Sequence, residues 1–287
     1  MLDPAYDFKH NTHVVQQIDG VHFKLKEPYD FSFLNNYGRV FKVFDGQSSG
    51  NVSFGVRDGA RRYFIKFAGA RPERYENFNG DPASAIIRLK NAAEIYRNLK
   101  HPDLIKFINA EKIGGGYAII FEWEDAAGIE PFGSPENIFM NMPVDKKMRA
   151  FESIMKFHAH VAANGYVALD FYEGSILYDP ETEKLSVCDI DFYQKSPYTG
   201  DLGRICGSAR YSSPEEREPG GVMDEITNVY TMGATAFMIF SGSGRSFGEW
   251  PLNANLYAVT KRAVSEDRSK RQRSIGQLIN EWSTAKK

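Results

Sequence analysis

Two cysteines in 287 residues, Cys188 and Cys206, are too few for a disulfide framework and are not spaced as a zinc site. Their scarcity points to a reducing, cytoplasmic compartment. Neither sign of charge prevails. Lys and Arg number 35 against 37 Asp and Glu, for a formal net charge of −2. A chain this near neutrality has no global field to attract nucleic acid or an anionic membrane. No apolar run nears the ~20 residues that span a bilayer. The polar start, MLDPAYDFKHNTH, does not read as a signal peptide. Internal repeats and low-complexity tracts are missing too. The length allows one large domain, or two lobes that each bury a core.

What is there falls into two halves. The first is punctuated by glycine: GRVFKVFDG (38–46), NVSFGVRDG (51–59) and RRYFIKFAG (61–69). Apolar or alternating runs that end in DG turns predict an antiparallel meander. A polar loop follows, then a helix over 83–100 with Ile86, Leu89, Ala93, Tyr96 and Leu99 at helical spacing. Residues 101–125 read as two more strands around a GGG turn. The second half reads mostly as helix. One runs over 144–165 and ends at Gly165, a suitable C-cap. A strand-like piece at 184–192 precedes a long loop, and helices at 228–242 and 274–282 follow. Strands first and helices second predict an α+β fold in two lobes. The expected division is an N-terminal extension over 1–30, a small lobe over 31–125 and a large lobe over 126–287. Tyr29, Phe31 and Phe33 are candidates to pack on the small lobe.

Four polar residues stand out by what flanks them. Lys66 lies in YFIKF, between two apolar neighbours, where a merely solvated lysine is the plainer reading. Asp170, in VALDFYEGSILYD (167–179), precedes what looks like a short hairpin. Asp189 and Asp191 close the apolar run VCDIDF. Carboxylates at the end of a buried strand are expensive unless they meet a cation or several N–H groups.

In this order — a lysine on the third strand, a helix, a hinge, a loop acid and a second acid about 19 residues on — the chain resembles the serine/threonine protein-kinase family. LKHPDLIKF (99–107), AIIFEWEDAAG (118–128) and NVYTMGATAFMIFSG (228–242) also resemble kinase segments. The most specific likeness is GSARYSSPEE (207–216), similar to the end of the kinase activation loop, with Ser208 at a usual threonine position. The resemblance covers about residues 38–282 and implies a kinase-like two-lobed fold using ATP and Mg²⁺. It places Lys66 on the α/β-phosphates and Asp170 on the attacking hydroxyl. Asp189 and Ser175 would hold the metal. Gly46, Gly50, Val52, Glu122, Glu124 and Leu177 would line the nucleotide. It pairs Glu215 with Arg271 and sets Asn228 under the catalytic loop.

The departures from that pattern fall on chemistry. Ala168-Leu169-Asp170 stands for His-Arg-Asp, so activation by loop phosphorylation is not expected. Ser175 replaces asparagine, which weakens the second metal position. Tyr172 replaces a basic residue, and Lys195 or Arg210 would have to supply the charge. Asp189-Ile190-Asp191 stands for Asp-Phe-Gly, with Asp191 either a second ligand or a turn cap. Ala92 falls where a helix glutamate belongs, and Glu94 lies on another side of the helix. In the glycine turn 45–52 only Gly50 and Val52 match well. Phe64 stands where a small residue packs on adenine. It would fill the pocket, rotate the strand, or face the core through a one-residue shift. Asn228 for aspartate keeps an acceptor and loses a charge. The reading that follows is phosphoryl transfer to protein serine or threonine. The alternatives are a pseudokinase that binds or scaffolds a partner, and a small-molecule phosphotransferase. Partners expected are a protein substrate or binding partner, with no nucleic acid and no membrane.

Overall fold

Two-residue turns at Asp19-Gly20 and Gly59-Ala60 join neighbouring strands, and each uses a glycine at positive φ. The computed structural model describes residues 13–47, 49–73, 81–128, 139–200 and 209–287. Among these, antiparallel sheets and six α-helices make a mixed α/β structure. Contacts group the chain into two units, Met1–Glu94 with Lys106–Glu124, and Ile95–Ile105 with Asp125–Lys287.

The first unit begins with a hairpin of β1 (Val14–Ile18) and β2 (Val21–Leu25). β3 (Arg39–Phe44), β4 (Asn51–Asp58) and β5 (Arg61–Ala68) follow. Helix α1 (Pro82–Asn98), whose residues from Ile95 on group with the second unit, comes next, then β6 (Phe107–Ile113) and β7 (Gly116–Glu122). The five later strands form one antiparallel sheet in the order β3-β4-β5-β7-β6. Successive side chains on a strand point to opposite faces. Val52, Phe54, Val56, Ile65 and Phe67 share one face, buried against Phe23, Leu25, Phe31 and Phe33. Phe31 lies 5.0 Å from Phe54 and Phe33 4.8 Å from Phe67, ring to ring. The aromatics just before the sheet thus roof one of its faces. Lys66 and Phe64 belong to the other.

The second unit adds β8 (Ala127–Gly128), α2 (Val144–Ala163) and β9 (Tyr166–Val167). The hairpin expected after Asp170 is β10 (Ile176–Asp179) with β11 (Lys184–Val187). Two-residue strands β12 (Gln194–Lys195) and β13 (Tyr198–Thr199) lead to α3 (Pro214–Arg217) and β14 (Val222–Met223). Helices α4 (Glu225–Ser241), α5 (Ala254–Ala263) and α6 (Ile275–Ala285) complete it. From Thr227 to Phe240 every residue of α4 is buried, so this helix is the centre of the unit. Phe151 of α2 packs on Trp282 of α6 at 4.8 Å and on Phe240 of α4 at 6.0 Å. No helix among the described residues is long and apolar enough to cross a membrane.

Two of the boundaries that differ from expectation have clear local reasons. The strand expected over 184–192 stops at Val187, because Asp189 takes a left-handed φ of 55° that a strand cannot carry. The helix expected from 228 begins at Glu225. There Asp224 caps it by accepting the Ile226 N–H at 2.7 Å.

Candidate functional site

The loop that carries Asp170 is clamped on both sides of the acid. Leu169 is buried in an apolar cluster with Val167 and Met223, flanked by Phe192 and Tyr198. An arginine at 169 would have to be charged in that cluster, so leucine here is a packing residue. Phe171 is buried against the ring of His158, 4.4 Å away. The Ala168 N–H donates to Asn228 Oδ1 at 2.8 Å. Asn228 therefore keeps its expected place under the loop, while its buried Nδ2 finds no acceptor. Held this way, Asp170 is half-buried with a left-handed φ of 60°. For a residue with a Cβ that conformation is strained by about 1 kcal/mol, and such strain gathers at functional positions.

Asp189 repeats the pattern. It is half-buried at a φ of 55°. The next residue, Ile190, is fully buried, and its N–H donates to the Tyr96 hydroxyl at 3.2 Å. Tyr193, three residues on, hydrogen-bonds through its hydroxyl to His158 Nε2 at 3.1 Å. Both tyrosines are buried, and burial is the main reason their hydroxyls titrate well above the ordinary value. Negative neighbours add to it: Asp191, Asp189 and Cys188 for Tyr96, and Cys188, Asp189 and Asp170 for Tyr193. Tyr193 therefore stands within electrostatic reach of both candidate acids.

Ser175 is fully buried in the 3₁₀ turn Glu173–Ser175. Its carbonyl accepts the Cys188 N–H at 2.9 Å, beside Asp189, while its hydroxyl faces the Tyr172 N–H at 3.5 Å. Leu177 is half-buried on β10, opposite Gly128. Of the two cations that might replace the missing basic residue, Lys195 sits over the Tyr166 ring at 3.8 Å. Arg210 pairs with the buried Glu173 at 3.1 Å, three residues beyond Asp170. The Tyr211 hydroxyl is pushed far up by burial and by this same Glu173. Among the described residues no three His, Cys, Asp or Glu gather as a cage for a metal. The oxygens of Asp189 and Asp191 are a donor set that suits Mg²⁺, which commonly takes one or two carboxylates and completes its shell with water and phosphate.

In the first unit, Lys66 is buried, 6% exposed. It opposes Ser53 on β4 and Ile119 on β7. Val52, expected on the nucleotide, pairs instead with Phe67 on the opposite, roofed face. The register corrects that assignment by one residue: Ser53 and Gly55 share the face of Lys66. Phe64 is on this face as well, between Phe44 at 5.6 Å and Phe121 at 6.2 Å. A one-residue shift into the core is therefore excluded. Over Gly55, a Cβ would stand 2.8 Å from the rings of both Phe41 and Trp123. Aromatic side chains thus cover much of the sheet surface beside the lysine.

The turn between β3 and β4 includes Gly46, exposed, and Gly50, buried at a φ of 81°; Ser48 lies outside the described residues. Arg88 of α1 braces it by donating to the Ser49 carbonyl at 3.2 Å. The N–H groups of Glu122 and Trp123 donate to Lys106 O and Arg62 O, so the sheet consumes them. Glu124 is the first residue beyond. Ala92 is fully buried in α1.

Glu215 and Arg271 meet as the resemblance implies. Arg271, 0% exposed, grips the carboxylate with two bonds of 2.7 and 3.0 Å. Arg268 and the Thr227 hydroxyl add bonds of 3.1 and 2.9 Å. Burial pushes the carboxyl of Glu215 up, but Arg271 and its other donors win and hold it below the usual range. Ser208 and Cys206 lie outside the described residues. Tyr96, Tyr193, Glu173 and Arg268 escaped sequence reasoning. Each is an ordinary core or surface residue by pattern, and only the fold shows what its polar end touches. No protein-family model and no curated protein matches the chain.

Proposed function

We propose that the chain has a kinase-like two-lobed fold and transfers the γ-phosphoryl group of ATP, with Mg²⁺, to serine or threonine hydroxyls of a protein. One observation carries the reading. The two acids singled out for this chemistry are both half-buried, both in left-handed backbone, and both within electrostatic reach of Tyr193. Asp19 and Glu183 take the same backbone in exposed turns; half-buried and held by packed neighbours, as at Asp170 and Asp189, it suits a group that must meet substrate. In this reading Asp170 orients the attacking hydroxyl and takes its proton. The oxygen–phosphorus bond to the substrate forms as the bond to ADP breaks. Asp189, with Asp191 or Ser175, holds Mg²⁺ against the phosphates, and Lys66 neutralises them. Backbone N–H groups of the Gly46–Gly50 turn contribute on the phosphate side. Tyr96 and Tyr193 position the backbone around Asp189. Radiolabel transfer to itself or to a generic protein substrate tests this. The expected result is labelling that Asp170→Asn lowers at least about a thousandfold, as removal of a group essential to the chemistry does. Labelling unchanged by that substitution would refute it.

A second reading has its own support. Phe64, Phe44, Phe41 and Trp123 crowd the face of β5 that carries Lys66, and Leu169 packs where the family keeps a charge. These favour a pseudokinase that keeps the fold to bind a partner. A folded protein that ATP and Mg²⁺ fail to stabilise, and that labels nothing, would select it over the enzyme. Labelling of a sugar or aminoglycoside alone would instead select a small-molecule phosphotransferase.

A further inference from the structure

Helix α2 buries a polar side chain that the proposed chemistry does not use. His158 is fully buried, whereas the other buried residues of α2, from Ala150 to Val161, are apolar. An apolar residue would fill that space without taking two ring nitrogens out of water. Both nitrogens are bonded, and their partners fix where the proton of the ring sits. The Ile154 carbonyl, 2.9 Å from Nδ1, can only accept, so Nδ1 carries the hydrogen. Burial lowers the pKa of His158 to about 4, which leaves a neutral ring with a single N–H at pH 7. Nε2 is then a bare acceptor, and the Tyr193 hydroxyl donates to it at 3.1 Å. That bond spends the one proton of the hydroxyl. Tyr193 therefore has none to give Asp170 or Asp189, although both lie within its electrostatic reach. What the pair can do for the acids is hold them in place.

His158 meets both acid-bearing segments. Its ring packs edge-on at 4.4 Å against Phe171, the residue after Asp170. Through Tyr193 it meets the turn that follows Asp189, which the Tyr193 N–H closes by donating to the Ile190 carbonyl at 3.1 Å. The backbone joins the same segments once more, where Val167 of β9 pairs with Gln194 of β12. The contacts of His158 fall nearer the acids in sequence, and they come from the middle of a helix of 20 residues. Side chains locked on such an element hold a site more precisely than loops do.

We propose that His158 is a positioning residue for phosphoryl transfer, coupling the Asp170 loop to the Asp189 turn and so setting the spacing of the two carboxylates. The coupling stands on the fold alone, and its catalytic consequence rests on the transfer reading. Amide hydrogen exchange on the full chain without nucleotide tests the first. The probe is the Ala168 N–H, which Asn228 protects. Tyr193→Phe removes the hydroxyl and keeps the ring, and it speeds exchange at Ala168 about fivefold. In a His158→Phe background the same change adds less than about twofold, because the tie is already cut. Equal acceleration in both backgrounds, or none in either, would overturn the proposal. The labelling assay tests the second part. His158→Phe lowers the rate at saturating ATP about tenfold and raises the Mg²⁺ concentration needed for half the maximal rate. Tyr193→Phe, a change of one oxygen, shifts both in the same direction and serves where His158→Phe does not fold. A residue that only filled the core would lower the melting temperature and leave the Mg²⁺ dependence unmoved, and that result would overturn the proposal with the transfer reading intact. Coupled exchange in a chain that labels nothing would refute the transfer reading and reduce His158 to a structural tie.

Discussion

Two sets of carboxylates in the second unit are handled in opposite ways. Glu215 is surrounded: two arginines and a threonine hydroxyl donate to it, and its backbone lies in helix α3. Asp170 and Asp189 are half-buried and bent into left-handed backbone by neighbours that are themselves pinned, Leu169, Phe171 and Ile190. The first arrangement lowers free energy locally. The second raises it, by about 1 kcal/mol per residue. Glu215 is held as a structural joint, whereas the left-handed backbone at Asp170 and Asp189 is kept by the packing of its neighbours.

The contrast breaks most visibly at the joint. Arg271→Met leaves Glu215 buried with fewer donors and should destabilise the protein by about 3–5 kcal/mol, read from chemical denaturation. The double change Glu215→Leu with Arg271→Met should recover much of that loss. Equal instability of the single and double variants would show that packing, and not charge, holds the corner.

The next effect is a pH dependence. His158 is fully buried, and burial lowers its pKa from 6.5 to about 4, although the Ile154 carbonyl pulls the other way. The unfolded chain thus binds a proton more readily than the folded one. Stability from this residue is complete above pH 6.5 and is lost as pH falls towards 4, by up to about 3 kcal/mol. Glu215, with its lowered pKa, acts in the same direction at lower pH. His158→Gln should flatten the fall in melting temperature between pH 7 and pH 5, and an unchanged slope would exclude the histidine as its source.

Smaller effects sharpen the other side. Asn228→Ala removes the acceptor for the Ala168 N–H and should cost about 1–3 kcal/mol. It should also speed amide exchange at Ala168 more than at the end of α6. Asp189→Gly relieves the left-handed strain and should leave stability unchanged or raise it by up to about 1 kcal/mol. A clear loss of stability there would mean that Asp189 is a structural cap.

Much of the architecture was legible because it rests on local chemistry. Glycine turns, alternating runs and the buried faces of α2 and α4 follow from the spacing of small and apolar residues. The Glu215–Arg271 pair was legible for another reason: the segment around Ser213-Pro214-Glu215 is specific in sequence. Val52 was misassigned because a one-residue change of register moves a side chain to the other face of a sheet, and nothing in NVSFGVRDG says which face is roofed. The residues around 29–34 decide that, from outside the sheet. The polar contact of Tyr96, a residue at apolar spacing on its helix, is hidden for a similar reason. Helical or strand spacing reports where a ring goes and is silent on what its hydroxyl meets. The side on which Phe64 lies is set by its neighbours Phe44 and Phe121, which sequence spacing does not reveal.

The central claim is that the strain at Asp170 and Asp189 serves a metal-bound polyphosphate. The thermal shift produced by ATP with Mg²⁺, measured on the unaltered chain and on Asp189→Gly, tests it most directly. At a hundredfold excess over its dissociation constant the nucleotide should add about 2.7 kcal/mol to the unaltered protein. It should add little to the glycine variant, although that variant is no less stable alone. Equal shifts in the two proteins, or none in the unaltered chain, would contradict the account.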